Sequence, residues 1–255
     1  MSEVPIEDHI WVFPDWPAPV GVRAVVTTRH GPGVSPPPLD RLNLGLNSGD
    51  TPANVSSNRR ALEHVLKLPS APRWLRQVHG RDVAELGPIA ADEEPRVDAA
   101  VSHIRGTVLA ILSADCLPVL FCSEDGKHIA AAHAGWRGLA AGVLEAVVQS
   151  LGVPGDRLLV WLGPCIAASS YEVDDTVRHA FMRSDVGVER AFVPTRSEHW
   201  SCDLECLARH QLQKAGVARI HGGGFDTFGD ERFYSWRRDG AQSGRFASLV
   251  WLQPD

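Results

Sequence analysis

The sequence predicts an α+β protein built on a mixed or antiparallel sheet. Short apolar or alternating segments crowd the middle third of the chain. Helical patterns lie before and after them, without the strict strand–helix alternation of a doubly wound parallel fold. A chain of 255 residues, 44% hydrophobic, also suits one large core.

In chain order, "VRAVVTT" (residues 22–28) reads as a strand. "GPGVSPPPL" (31–39) is a surface loop rather than a linker between folded halves. "SSNRRALEHVLKL" puts Leu62, Val65, Leu66 and Leu68 at helical spacing behind a serine cap. Six strands are expected next: "RWLRQVHG", "RDVAEL", "VDAAVSHI", "TVLAILSA", "LPVLFC" and "HIAAAHAG". One helix, "GLAAGVLEAVVQSLG", follows, with Gly152 as its C-terminal cap. "LLVWLGP" is a further strand, two amphipathic helices cover about 174–182 and 203–215, and a final strand pair ends in "FASLVWL".

Charge and composition exclude several classes. The formal net charge is -6 and no Lys/Arg run occurs, so neither a nucleic acid nor an anionic membrane is an expected partner. The longest apolar stretch, "TVLAILSADCLPVLFC", is interrupted by Asp115 and Pro118 and falls short of the roughly 20 residues of a membrane helix. "MSEVPIEDHIWVF" lacks the basic-then-apolar pattern of an export signal. The 5 cysteines, an odd number without a dense framework, read as reduced thiols of a cytoplasmic protein.

Three segments carry chemistry. His79 in "RQVHG", Asp115 and Cys116 in "SADCLPVLF" and His133 in "AAHAGWRG" each sit at the end of an apolar segment. Zinc takes thiolate and imidazole, and a catalytic zinc keeps three protein ligands with a fourth position open, which a His/Cys/His set satisfies. The spacing is not that of a finger or ribbon. Cys116 with His133 equally reads as a thiolate–imidazolium dyad oriented by His79 or Asp115, since ligand and nucleophile both need a lowered thiol pKa. Arg137, at the start of a helix, is an anion handle, with Arg59, Arg237 and Arg238 as further candidates. "HGGGFDTFGD" is a turn, not a phosphate loop, because no Lys follows its glycines. Several of the 8 tryptophans sit in strand-like apolar contexts and read as core.

"LNLG", "GD", "NR", "QVHG", "ADCLPVLF", "AAHAGWRG", "GPCI…YEV", "FYSWRRDG…GR" and "ASLVWL" occur together and in order over nearly the whole chain. This combination resembles the laccase-domain or polyphenol-oxidase family of YfiH-like bacterial proteins. The resemblance implies a single-domain sandwich over residues 1–255, with central sheets flanked by helices. It also implies a metal site of His79, Cys116 and His133, with zinc usual and copper possible. The implied activity is phosphorolysis of purine nucleosides (adenosine, inosine, methylthioadenosine), with adenosine deamination as a second reaction. Purine nucleoside and phosphate are then the partners, and Asp115, Cys116 and His133 the expected catalytic residues. Arg59, Arg137 or Arg237 would hold phosphate, Asp115 would move a proton or orient a ligand histidine, and Asn43 and Gln77 would bond the substrate. The alternative is a cysteine hydrolase or amidase editing cytoplasmic peptidoglycan precursors, with Cys116 as nucleophile. A copper polyphenol oxidase fits less well, since laccase chemistry needs several coppers with many His ligands. One departure stands out: Phe225 and Asp226 occupy about the place where many relatives carry Cys-Thr.

Overall fold

In the computed structural model, which describes residues 10–89, 94–183 and 185–254, the central strands are buried at nearly every position. Only a sheet covered on both faces allows that. Residues 1–9, which hold most of the stretch read as lacking an export signal, lie outside the described residues. The elements are β1 (Trp11–Val12), β2 (Val22–Thr27), α1 (Pro52–Leu66), β3 (Val83–Glu85), β4 (Ala99–Ser102), β5 (Val108–Ser113), β6 (Leu117–Ser123), β7 (Ile129–Ala134), α2 (Trp136–Ala141) and α3 (Val143–Leu151). Then come β8 (Leu158–Leu162), β9 (Glu172–Asp174), α4 (Asp175–Met182), β10 (Phe192–Arg196), β11 (His199–Cys202), α5 (Leu204–Lys214), β12 (Arg219–Gly222), α6 (Trp236–Asp239) and β13 (Phe246–Leu252).

The expected α+β sandwich is what forms. A mixed six-stranded sheet, order β12-β8-β6-β7-β4-β3, stacks on an antiparallel four-stranded sheet, order β1-β2-β13-β5. Side-chain alternation sets the layers. Along β6, Leu117, Val119 and Phe121 pack with Leu139, Leu144, Val147 and Leu207 of the helices, whereas Leu120 and Cys122 pack with Leu109, Ile111 and Val250 of the other sheet. The outer face of the four-stranded sheet carries a third core, in which Val25, Ala110 and Leu249 meet Leu62 of α1. His133 shares the parity of Ile129 and Ala131 on β7, so it points into the seam between the sheets rather than at the helices.

Three expectations are corrected, and one small sheet was not foreseen. "RWLRQVHG" is not a strand: only Arg73 makes an isolated bridge, to Leu109. The Gln77 amide bonds both the N–H and the C=O of Leu112, and the amides of Val78, His79 and Gly80 are taken by a carboxylate instead of a ladder. The single long helix is two. Gly142, at φ 86, ends α2 and begins α3; a Cβ there would meet only ordinary van der Waals neighbours, with Glu145 Oε2 at 3.5 Å, so backbone conformation selects glycine there. Helix α1 starts earlier than the serines suggest, with Thr51 as cap and Pro52 in its first turn. The small antiparallel sheet β10-β11-β9 escapes the pattern because "FVPTR" contains Pro194 and faces solvent beyond Phe192. No helix of the described residues is long and apolar enough to cross a membrane.

Gly142→Ala forces a side chain into the left-handed region and should lower the unfolding free energy by about 1–2 kcal/mol. Urea unfolding with an unchanged slope checks this, and an unchanged midpoint would refute the conformational role given to Gly142.

Candidate metal centre and active-site cleft

The site lies at one end of the sandwich, where β5 turns into β6 and β7 runs out. Asp115 occupies the turn at φ 87, and the Ser113 hydroxyl closes it by donating to the Cys116 carbonyl. Cys116 follows at once, before β6, and His133 stands opposite Pro118 in the β6–β7 register. His79 reaches the same point from the loop before β3, its backbone at φ 62. The ligating atoms of His79, Cys116 and His133 all lie within 4.8 Å of one another. A tetrahedral zinc, with bonds of about 2.0–2.3 Å, sets its ligand atoms about 3.5 Å apart, so a small inward adjustment seats an ion. Gly135 is needed for space: a Cβ there would stand 2.8 Å from the Cys116 Sγ.

Asp98, absent from the sequence-based candidates, organises the centre. Its carboxylate is fully buried. It accepts from the amides of Val78 (3.0 Å), His79 (2.8 Å) and Gly80 (2.7 Å) and from His133 Nδ1 (2.8 Å). Burial alone would raise its pKa, but His133 and the amides outweigh that and hold it below the usual carboxylate value. With Nδ1 committed as donor, His133 presents Nε2 to the centre. Burial opposes charge on both members of the neighbouring pair. The facing imidazole and thiol nevertheless drive Cys116 down to about 6 and His133 up to about 9. Without an ion, Cys116 is therefore a thiolate beside an imidazolium. The orienting role expected of Asp115 belongs to Asp98. Asp115 instead accepts from the Thr227 hydroxyl (2.7 Å) and the Arg237 amide (2.6 Å), tying the C-terminal segment to the cleft floor.

Above the centre opens a cleft of about 500 Å³. Arg137 and Arg237, the arginines read as phosphate holders, line it. Arg137 is exposed, its guanidinium 4.3 Å from the Trp136 ring, and Arg237 lies 5.1 Å from Tyr171 while donating to the Glu172 carbonyl. Neither has a carboxylate partner among the described residues. Arg59 also lines the cleft, stacked on Trp74 and paired with Glu94, with its Nη2 buried and unbonded. Gln77 lines the wall, its amide spent on Leu112. Asn43 does not line the cleft. It is fully buried and pins its own loop through Asp50, Gly45, Ser48 and the Arg245 amide. Arg238 is likewise structural, clamping the carbonyls of Thr227, Phe228 and Phe233. Arg245, which lines the cleft, was missed in the sequence because nothing local marks it.

A family profile described as multi-copper polyphenol oxidoreductase laccase matches residues 23–253. The chain belongs to that family. Among its relatives, "Purine nucleoside phosphorylase PA4543" of Pseudomonas aeruginosa is 54% identical over 247 residues, covering 96% of this chain and 99% of that one. "Purine nucleoside phosphorylase YfiH" of Escherichia coli is 47% identical over 244 residues, covering 94% and 98%. Of solved structures, the Neisseria meningitidis protein NMB0706 superposes with a TM-score of 0.91 at 40% identity, covering 96% and 99% of the two chains. YlmD of Geobacillus stearothermophilus does so at 0.88 and 28%, covering 100% and 98%.

The donor set of this laccase-family chain suits a single ion. Among the described residues, His79, Cys116 and His133 form the one group of three or more His, Cys, Asp or Glu side chains placed to hold a metal, whereas a multi-copper cluster needs many more imidazoles. The departure at Phe225 and Asp226 lies away from this centre. Phe225 packs against Trp161 and Phe233, and Asp226 bonds Ser170 and the Ala167 amide beside a separate cavity.

Two outcomes test the centre. Asp98→Asn should weaken zinc binding about 10- to 100-fold in competition with a chromophoric chelator, and unchanged affinity would remove Asp98 from its role. In metal-free protein, iodoacetamide should alkylate Cys116 with a midpoint near pH 6, far below the 9.0 of a free thiol. The thiolate's contribution to stability is lost as pH falls from 9 through 6, and that of the His133 imidazolium as pH rises from 6.5 through 9. His133→Ala should return the alkylation midpoint toward that of an ordinary cysteine.

Proposed function

We propose that this chain is a metal-dependent purine nucleoside phosphorylase. It would convert adenosine, inosine or methylthioadenosine and phosphate into free base and ribose 1-phosphate, with adenosine deamination as a side activity. One observation carries the reading: a single cleft joins a one-ion donor set to Arg137 and Arg237, both without carboxylate partners among the described residues. The purine nucleoside phosphorylase names of the Pseudomonas and Escherichia relatives support it. Residues 1–255 act as one catalytic unit, and the five unpaired cysteines favour a reducing, cytoplasmic setting.

Phosphorolysis forms a bond between a phosphate oxygen and C1′ while the glycosidic C–N bond breaks, and the base leaves with that electron pair and gains a proton. Arg137 and Arg237 hold the phosphate through planar guanidinium donors, and their aromatic supports fix the direction of approach. The Asp115 carboxylate keeps Arg237 in place through its backbone amide. Asp98 keeps His133 turned toward the centre. A bound zinc ion, or copper in its place, supplies Lewis acidity toward an oxygen of phosphate or water.

The Cys116–His133–Asp98 arrangement also supports a second reading, a thiol hydrolase or amidase acting on cell-wall precursors, because it holds a nucleophile, a base and an orienting carboxylate in sequence. Zinc-loaded protein incubated with adenosine separates the two. Adenine and ribose 1-phosphate should appear only with phosphate, and disappear with a chelator or in His133→Ala. Inosine independent of phosphate would make deamination the main activity. No turnover in either tube, with a thiol hydrolase that survives chelation, would overturn the phosphorylase reading.

A further inference from the structure

Three aromatic residues line the cleft, and each has an arginine over its ring. Trp136 and Tyr171 pack against the helix-side core, and the guanidiniums of Arg137 and Arg237 lie over their rings. Trp236 differs. It belongs to none of the buried cores, and 52% of its surface is exposed. Arg245 lies 5.5 Å from its ring centroid.

The exposure is not that of a loose loop. Phe233, Tyr234 and Ser235, immediately before Trp236, are all fully buried, and the Tyr234 hydroxyl donates to the Leu39 carbonyl at 2.6 Å. Ser235 caps α6 by accepting from the Arg238 amide, and the Arg237 amide donates to Asp115 on the cleft floor. The segment is thus anchored on both sides of Trp236, which it presents to the cleft together with Arg237. An exposed indole on a fixed backbone is a flat apolar surface that loses little entropy on binding another ring.

We propose that Trp236 is the platform on which the purine base stacks, so that this cleft selects flat heteroaromatic leaving groups. The inference rests on the nucleoside reading and deepens it. The base lies on the Trp236 ring while phosphate is held by Arg137 and Arg237 and the ribose spans the space between. Because the base keeps its face throughout bond cleavage, stacking stabilises ground and transition states alike. It therefore acts on KM rather than on kcat.

Calorimetric titration of the purified protein with free adenine, without phosphate, tests the platform with no turnover involved. Trp236→Ala should weaken adenine binding about 10-fold or more, and Trp236→Phe should keep most of it. Ribose 1-phosphate affinity should stay within about twofold in both variants, which separates lost stacking from a disturbed segment. In turnover, the nucleoside KM should rise in Trp236→Ala while kcat and the phosphate KM hold. Equal adenine affinity in wild type and Trp236→Ala overturns the inference, as does a wild type that binds no adenine or a parallel loss of ribose 1-phosphate. Trp236-dependent adenine binding without any phosphorolysis would overturn the proposed activity and leave the base platform standing.

Discussion

A single carboxylate in a dry position holds the functional end of this protein together. Asp98 directly precedes β4, whose register sets Ala99 against Ala132 of β7, and the Asp98 carbonyl accepts the His133 amide at 2.7 Å. Strand pairing therefore delivers the Asp98 side chain to the His133 ring. Its remaining acceptor capacity goes to three consecutive amides of the His79 loop. A buried carboxylate is tolerated only when hydrogen bonds replace its water, and here they come from both histidine-bearing segments at once. Removing the carboxylate would leave three amides and an imidazole without a partner, so the loop and the strand end are coupled through one side chain.

The cleft is closed by a second device of the same kind. Asp115 sits in a left-handed turn and accepts from Thr227 and Arg237, so the C-terminal segment is fastened to the turn that carries Cys116. Arginines around the opening lie over aromatic rings: Arg137 on Trp136, Arg237 on Tyr171 and Arg245 on Trp236. A ring holds a guanidinium in place without neutralising it, whereas a carboxylate does both. The positive charge of the cleft is thus positioned by stacking and left available to an anion. Arg59 shows the other arrangement, with Glu94 taking one edge of its guanidinium.

What the sequence disclosed follows from how each signal is made. Strands β5 to β8 are covered on both faces, so they read as continuous apolar runs that survive any error in register. His79, Cys116 and His133 were legible because soft donors stand out beside such runs. Asp98 was not, since an aspartate before "AAVS" looks like any turn residue, and its importance comes from a neighbour 35 residues away. The loop around Gln77 imitates a strand in composition, but its amides go to a side chain. Asn43 suggested a ligand contact because a buried amide and a binding amide have the same sequence signature. Trp236 drew no reading of its own beside the two arginines that follow it, and only its exposure within a fixed segment sets it apart.

The geometry of the centre bears on which of its two chemistries prevails. A thiol hydrolase needs Cys116, His133 and an orienting carboxylate, and Asp98 completes that set alone. His79 is then superfluous, yet its backbone takes a left-handed conformation that costs a non-glycine residue roughly 1–2 kcal/mol. Two of the Asp98 bonds go to the amides flanking His79 and a third to His79 itself. That expenditure brings a third donor to the point shared by the other two, and a third donor serves an ion rather than a dyad. The protonation pattern is that of the ion-free pair. With Cys116 drawn down to about 6 and His133 up to about 9, the imidazole holds a proton that an ion must displace. Metal and proton would thus compete for the same nitrogen, and an ion bound there would turn a reactive thiolate into a ligand.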